Sequence, residues 1–539
     1  MIPRRIRIVA SVLASLLVAG AVGAGGAAPA AIAADAPYAN ISGSGSTWSQ
    51  NALDQWRRNV QSNYGMTVDY RGLGSTAGRN DFINRTVDFA ISEIPFQLQP
   101  TEKGAQPERP PTGGYAYMPI VAGGTSFMYN LKIGGKRVTN LRLAGATVAK
   151  IFAGQITNWN DPAIQADNPG LAMPDKQIQR VARSDGSGST AQFTMWMSKQ
   201  HPDIWTTGMT SQFPDNLGAT LQSGSLGVAA YVGQNYGEGA ITYVEYSYAL
   251  KSGFPVAKVL NAAGYYIEPT ASSVAVAMLK AQINTNASSA DYLTQILDGV
   301  YNNADPRTYP LSSYSYMIVP TQEGGTFNTD KGRTLGAFAK YVLCEGQQQA
   351  EQLGYSPLPM NLVQAGAEQI KRIPGAQGST VDINSCNNPT FQPGDSLDDN
   401  RLAQTASQPA DCDKQGPNQC VTGTAGAAGT DTDVTGSGDG GAAAGAAAST
   451  SAGTAAGASA ANAADPAATS AEAAYDANGN LLSGAAAGGG RAAASAPFSI
   501  PDPVPGAPAV LMTVAALLLT AAIVVPPLLM RRPRRSTGR

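Results

Sequence analysis

The chain carries a single histidine, His201, and no cysteine before Cys344. One histidine excludes a zinc site built from several imidazoles and leaves a Ser-His-Asp hydrolase no other residue to use as its base. His201 follows a predicted helix and precedes Pro202, so it reads as a solvated helix terminus. The lack of an early cysteine excludes a lipid carried on cysteine near the start of an exported chain. Charge is also scarce: Asp, Glu, Lys and Arg supply 14% of the residues and nearly cancel, at a formal net charge of -2. That balance offers no basic footprint to DNA or RNA, so no nucleic-acid partner is expected. The acidic pairs Asp411/Asp413 and Asp431/Asp433 lack EF-hand spacing and read as solubilising charges. No cofactor is expected.

Long apolar runs are confined to the two ends. Arg4, Arg5 and Arg7 precede an apolar run from Ile8 to about Val22 and small residues up to Ala34, the pattern of a secretory signal peptide over residues 1–34. Cleavage after Ala31-Ile32-Ala33 places the mature start at Ala34 or Asp35. Near the other end, residues 508–530 are uncharged and rich in Leu, Ala and Val, long enough to cross a hydrocarbon core of about 30 Å. Arg531, Arg532, Arg534, Arg535 and Arg539 follow, and a basic cluster beside a span marks the cytoplasmic side. The expected arrangement is an exported protein on the extracellular face of the cell membrane, held by one transmembrane helix, with 531–539 as a basic cytoplasmic tail. In an exported chain an even cysteine count favours disulfides over metal. Cys344, Cys386, Cys412 and Cys420 allow three pairings, and short-range closure favours Cys344 with Cys386 and Cys412 with Cys420.

Between these ends lie two compositional zones. Residues 396–506, above all from Thr422 to Ala496, are dominated by Ala, Gly, Ser and Thr, too poor in large apolar residues to build a core, and are expected to be a low-complexity linker. Residues 35–395 exceed what one core holds, so two lobes are expected. There, β-rich runs at 68–73 and 87–92 alternate with helical patterns. Residues 49–64 place Leu53, Trp56 and Val60 on one face, and Phe193, Trp196 and Met197 repeat the spacing later. Strands alternating with helices predict an α/β fold with mostly parallel sheets.

Three segments share one design. Gly43-Ser44-Gly45-Ser46-Thr47-Trp48 precedes a predicted helix, Gly72-Leu73-Gly74-Ser75 follows a predicted strand, and Asp185-Gly186-Ser187-Gly188-Ser189-Thr190 precedes another helix. Each offers hydroxyls and free N–H groups at a helix N-terminus, whose partial positive charge suits a tetrahedral oxyanion. Singly, each is equally an ordinary Ser/Thr cap or Gly/Ser turn. Arg183 stands just before the third segment, placed for a bidentate contact with an anion, and Asp185 is placed to hold its guanidinium. The Gly-Lys-Ser/Thr ending of a nucleotide P-loop is missing.

Together with Tyr70-Arg71-Gly72-Leu73-Gly74-Ser75, Val87-Asp88-Phe89-Ala90-Ile91-Ser92-Glu93, Ile151-Phe152-Ala153-Gly154-Gln155-Ile156-Thr157-Asn158-Trp159 and Gly239-Ala240-Ile241-Thr242-Tyr243-Val244-Glu245-Tyr246, these motifs occur in the order found in the phosphate-binding proteins of ABC importers, which the chain resembles from about residue 40 to 390. The resemblance implies a two-lobed periplasmic-binding-protein type II fold with the ligand in the interlobe cleft. Lobe one would be 38–118 plus 270–390, and lobe two 119–269. It implies Thr47, Trp48, Ser75 and Glu93 as ligand contacts from the first lobe, and Arg183, Ser187, Gly188 and Ser189 from the second, with Asp185 in support. In the family an aspartate occupies the position of Glu93, a phenylalanine that of Trp48 and a threonine that of Ser189.

The family's acidic residue accepts the proton that phosphate retains near neutral pH. Sulfate brings no proton, so a buried carboxylate rejects it by charge repulsion. The expected function is capture of inorganic phosphate, without chemistry on it, and delivery by a monomeric receptor to an ABC phosphate permease in the same membrane. The rivals are a receptor for another oxyanion, a phosphate sensor without transport, a secreted phosphoesterase, and a wall-associated structural protein.

Overall fold

The computed structural model describes residues 37–434 except 101–104, 112–113, 287, 290, 293 and 398, and in addition 474–475 and 481–483. The expected signal peptide of residues 1–34, the expected linker beyond 434 apart from those five residues, the apolar run 508–530 and the basic segment 531–539 lie outside the described residues. The chain divides into two units, Met1–Gly445 and Ala446–Arg539. In the second, the described residues are an antiparallel pair of strands, Ala474–Tyr475 with Leu481–Ser483. Among the described residues, no helix is long and apolar enough to cross a membrane.

The first unit is α/β and two-lobed, built on one eleven-stranded sheet. Its first lobe contains three parallel strands, with Ile41–Gly45 between Val68–Gly72 and Phe89–Ser92. In its second lobe, Gln179–Arg183 lies parallel to both Ala240–Glu245 and Thr220–Gln222. One long strand, Tyr115–Asn130, joins the halves. Its first part pairs antiparallel with Ser312–Pro320, and its last residues, Thr125 to Asn130, pair antiparallel with Ala240–Glu245. Nearly every residue of this strand is buried, which is why its apolar pattern runs on without a break.

The two hydrophobic cores meet along that strand. Ile120, Val121 and Ala122 belong to the first core, together with Trp56, Phe89, Tyr316 and Phe338, whereas Phe127 and Tyr129 belong to the second, with Phe152, Trp159, Phe193 and Tyr243. The lobes therefore divide near Gly124, a few residues beyond the expected 118/119. On the return, Leu297, Val300, Tyr309 and Leu311 pack into the second core rather than the first, so lobe two extends past 269. The helix Gln50–Tyr64 forms as its spacing predicts, burying Ala52, Leu53, Trp56 and Val60.

The cysteines pair as Cys344–Cys386 and Cys412–Cys420. The second pair lies in a segment expected to be linker. Residues 399–434 instead form a strap. Phe391 still belongs to the first core. The short helix Arg401–Thr405 then packs Ala403 against Ala275 and Val276. The strap continues over the second lobe, where Arg142 Nη1 donates to the carbonyls of Cys412 (3.1 Å) and Asn418 (2.8 Å), and Thr424 Oγ1 donates to the carbonyl of Val256 (2.6 Å). Asp413 is no solubilising charge: it is 8% exposed and takes Lys258 Nζ at 2.7 Å. Composition misleads here because the strap is held by backbone and small polar groups, not by large apolar side chains.

Candidate functional site

In each lobe the parallel strands end along one edge, and the loops that leave those ends face the other lobe. The carboxyl edge of parallel strands is where open α/β sheets place ligands. On the first lobe, Ile41–Gly45 leads into Thr47, Val68–Gly72 leads through Gly74 into the helix Ser75–Ile83, and Phe89–Ser92 ends beside Glu93. On the second, Gln179–Arg183 delivers Arg183 as its last residue and the loop re-enters helix at Gly188–Gln200. Thr220–Gln222 turns into the helix Gly224–Gly233.

The loops interlock. Ser75 Oγ donates to Glu93 Oε2 at 2.7 Å and receives the N–H of Gly188 at 3.1 Å. The other Glu93 oxygen, Oε1, takes the hydroxyl of Ser315 at 2.7 Å. Glu93 and Ser75 are fully buried. Gln192 Nε2, from the second lobe, donates to the Glu93 carbonyl at 2.7 Å. Thr47 Oγ1 lies 2.9 Å from Ser225 Oγ and receives the Ser225 N–H at 3.0 Å. Gly74 adopts φ 93°, and a β-carbon there would meet Asp185 Oδ2 at 2.5 Å, so the first lobe closes on the second at a position only glycine fills.

Arg183 is buried, at 2% exposure, with its guanidinium on Asp185: Nε donates to Oδ1 at 2.8 Å and Nη2 to Oδ2. Asp185 Oδ1 also takes the N–H of Gly224 at 2.9 Å. Burial pushes the Asp185 carboxyl up, but Arg183 and the Gly224 amide outweigh it and hold the group below the ordinary carboxylate value. Arg183 Nη1 points away from Asp185 and donates to Ser225 Oγ at 3.2 Å. Behind the site, burial pushes the Tyr243 hydroxyl up to about 12; it accepts the Arg183 N–H and lies 2.8 Å from Thr190 Oγ1.

Of the residues picked out in the sequence, Thr47, Ser75, Glu93, Arg183, Asp185, Gly188 and Ser189 come together. Ser187 caps the helix Gly188–Gln200 by accepting the N–H of Thr190 at 3.2 Å. Ser189 Oγ is buried with no hydrogen-bond partner among the described residues. The indole of Trp48 faces away from this cluster: Nε1 donates to Thr125 Oγ1 at 3.3 Å and the ring meets Tyr355 edge-on at 5.8 Å. Its N–H donates to Ser46 Oγ at 2.9 Å. Trp48 therefore serves the core with its side chain, and its backbone N–H and carbonyl are taken by Ser46 Oγ and the Tyr355 hydroxyl. His201 is half-buried rather than solvated, its ring edge-on to Trp196 at 5.1 Å, and burial pulls its pKa down. Among the described residues, no group of three or more His, Cys, Asp or Glu side chains is gathered to hold a metal.

Three contributors escape a reading of the sequence. Ser225 has a signal, because Ser223-Gly224-Ser225 opens an apolar helical run with the same Gly/Ser design as the other loops. Gln192 and Ser315 have none, lying inside a helix and a strand respectively.

A cleft closed between two α/β lobes, walled by helix N-termini, one arginine and one carboxylate, defines a solute-binding protein, and residues 30–345 match the PBP superfamily domain. The phosphate-binding protein PstS of Xylella fastidiosa (strain Temecula1) is 33% identical over 329 residues, covering 60% of this chain and 82% of that protein. PstS 2 of Mycobacterium tuberculosis is 33% identical over 319 residues, covering 59% and 82%. The chain belongs to the PstS family of phosphate-binding proteins. Among solved structures, a phosphate-binding protein from Stenotrophomonas maltophilia aligns at a TM-score of 0.47 and 16% identity, over 65% of this chain and 99% of the other.

Proposed function

We propose that this chain captures inorganic phosphate in the interlobe cleft and delivers it to an ABC-type import permease. One observation carries the reading: a fully buried carboxylate, Glu93, held by the Ser75 and Ser315 hydroxyls, stands at the N-terminus of the helix Gly188–Gln200, whose Gly188 N–H meets Ser75. Donors alone suit any oxyanion. A carboxylate added to them suits only an anion that brings its own proton. Glu93 accepts two hydroxyl protons, from Ser75 and Ser315, and an ionised carboxylate offers about four acceptor sites, so capacity remains for the proton of phosphate. Thr47, Ser75, Ser187, Gly188 and Ser189 would surround the anion. Arg183, steadied by Asp185, would supply the positive charge.

Against a histidine-dependent phosphoesterase stands the chain's single imidazole, His201, which packs on Trp196. We further infer that the protein is exported and held by residues 508–530 as a single span, an inference drawn from the apolar run and the arginines after it.

Titration calorimetry with phosphate, arsenate and sulfate tests the proposal. Phosphate and arsenate are expected to bind and sulfate to be rejected. Equal affinity for sulfate and phosphate would remove Glu93 from the selectivity argument and favour a receptor for a different oxyanion.

A further inference from the structure

We propose that Ser225 fixes the direction in which the Thr47 hydroxyl donates, and thereby makes Thr47 an obligatory hydrogen-bond donor to the enclosed anion. The inference rests on the phosphate-capture reading and adds a positioning residue to it. Ser225 is fully buried and is the second residue of the helix Gly224–Gly233, on the second lobe. Arg183 Nη1 donates to its Oγ at 3.2 Å. A guanidinium has donors and no acceptor, so the Ser225 oxygen is the acceptor in that contact and its own proton goes elsewhere. We assign it to Thr47 Oγ1, 2.9 Å away on the first lobe in a contact that either oxygen could donate, rather than to the Tyr248 hydroxyl that Ser225 also meets. The same Thr47 oxygen receives the Ser225 N–H at 3.0 Å.

A hydroxyl oxygen has two acceptor lone pairs. With an O–H and an N–H arriving from Ser225, both are occupied, and the only thing Thr47 has left to offer is its proton. The carbonyl of Thr47 is already taken by the hydroxyl of Tyr248. A directed chain therefore runs from the fixed charge of Arg183, through Ser225, to Thr47, and each bond polarises the next. Its free end presents a proton, which an anion accepts and another donor does not. Thr47 and Ser225 stand on different lobes, so the chain is complete only when the cleft is shut. The donor is oriented by the same motion that encloses the ligand.

The test is phosphate titration of the full-length chain carrying Ser225→Ala, Ser225→Thr, Thr47→Val or the combination of Ser225→Ala with Thr47→Val, each checked for an unchanged melting profile. Ser225→Ala is expected to weaken phosphate about tenfold. Ser225→Thr, which keeps the hydroxyl, is expected to stay within about threefold of the unaltered chain. In the Thr47→Val background the Ser225→Ala change should cost less than about twofold, because its effect passes through Thr47. Unaltered affinity in Ser225→Ala overturns the inference. So does a full multiplication of the two losses, which marks a role independent of Thr47. If Ser225→Ala does not fold, Ser225→Cys carries the same test, with a smaller loss expected from its weakly bonding thiol and unaltered affinity again counting against the idea. Failure of the unaltered chain to bind phosphate is a different result and removes the reading beneath this one.

Discussion

A β-carbon on Gly188 would collide with Glu93 Oε2 and would lie 2.6 Å from Ser75 Oγ. The Glu93 carboxylate therefore lies close against the backbone of the opposite lobe at Gly188. The acid and the bare glycine form one device.

Gly188→Ala is therefore expected to hold the lobes apart. Neither the buried carboxylate nor the backbone can yield cheaply, and crowding of this kind costs about 1–3 kcal/mol, or roughly 10–100-fold in phosphate affinity. A calorimetric titration in which Gly188→Ala binds like the unaltered chain would contradict the contact. Adding Glu93→Asp to Gly188→Ala should restore part of the loss by withdrawing the carboxylate.

Glu93→Gln keeps the shape and the acceptor oxygen but removes the charge and adds an amide donor. Phosphate should weaken about tenfold, in line with the loss of a hydrogen bond to a charged group. Sulfate, no longer facing an anion, should gain. The ratio of the two affinities is the quantity to measure, and an unmoved ratio assigns selectivity to another residue.

Acid should strip stability through Asp185. Its folded pKa lies below the ordinary 3.8 because Arg183 and the Gly224 amide outweigh the opposing effect of burial. A depressed carboxyl contributes stability that is present above its unfolded pKa and is lost as pH falls through the folded value. Below about pH 3.8 the unaltered chain should lose stability more steeply than Asp185→Asn in denaturant titrations. Parallel curves for the two proteins would refute the assignment.

On the far side of the second lobe, Lys258 Nζ lies 2.7 and 2.8 Å from the two oxygens of Asp413, with both side chains 11% exposed. Asp413→Ala leaves that ammonium nearly buried and unpaired, a change that costs about 3–5 kcal/mol for a buried pair. Asp413→Leu combined with Lys258→Met should recover most of the loss. Melting temperatures that fall equally in the single and double variants would mean that packing of the strap, and not the charge pair, sustains this region.

The loops around Thr47, Ser75 and Ser187 to Ser189 are legible in the sequence because the same local chemistry, glycines and hydroxyls before an apolar helical run, is written three times in order. The α/β alternation follows from periodicity, and the observed disulfide pairing is the one that short-range closure favours among the three possible. What stays hidden depends on contacts between distant residues. Ser225 meets Thr47 across 178 positions and Ser315 meets Glu93 across 222; Ser223-Gly224-Ser225 marks a loop like the others, but no local pattern announces either contact. The lobe boundary departs from its expected place because Tyr115–Asn130 serves two cores without changing its apolar character. The strap resembles linker because composition counts apolar surface, whereas the strap is fixed by carbonyls, amides and the Lys258–Asp413 pair.

The strap also decides where a pull on the chain is felt. Had the fold ended with Phe391, the exit would lie on the first lobe; instead Thr430 and Thr432 bond to Thr139, and Val434 rests on Gly170, so the described chain leaves from the second. Under the proposed anchoring, tension along the chain would be taken up by the second lobe, and the closed loop Cys412–Cys420 lies upstream of its contacts there. Were the chain held at residues 508–530 as proposed, the first lobe would carry no load and would swing under thermal motion alone, an asymmetry that two lobes of similar architecture would otherwise not possess.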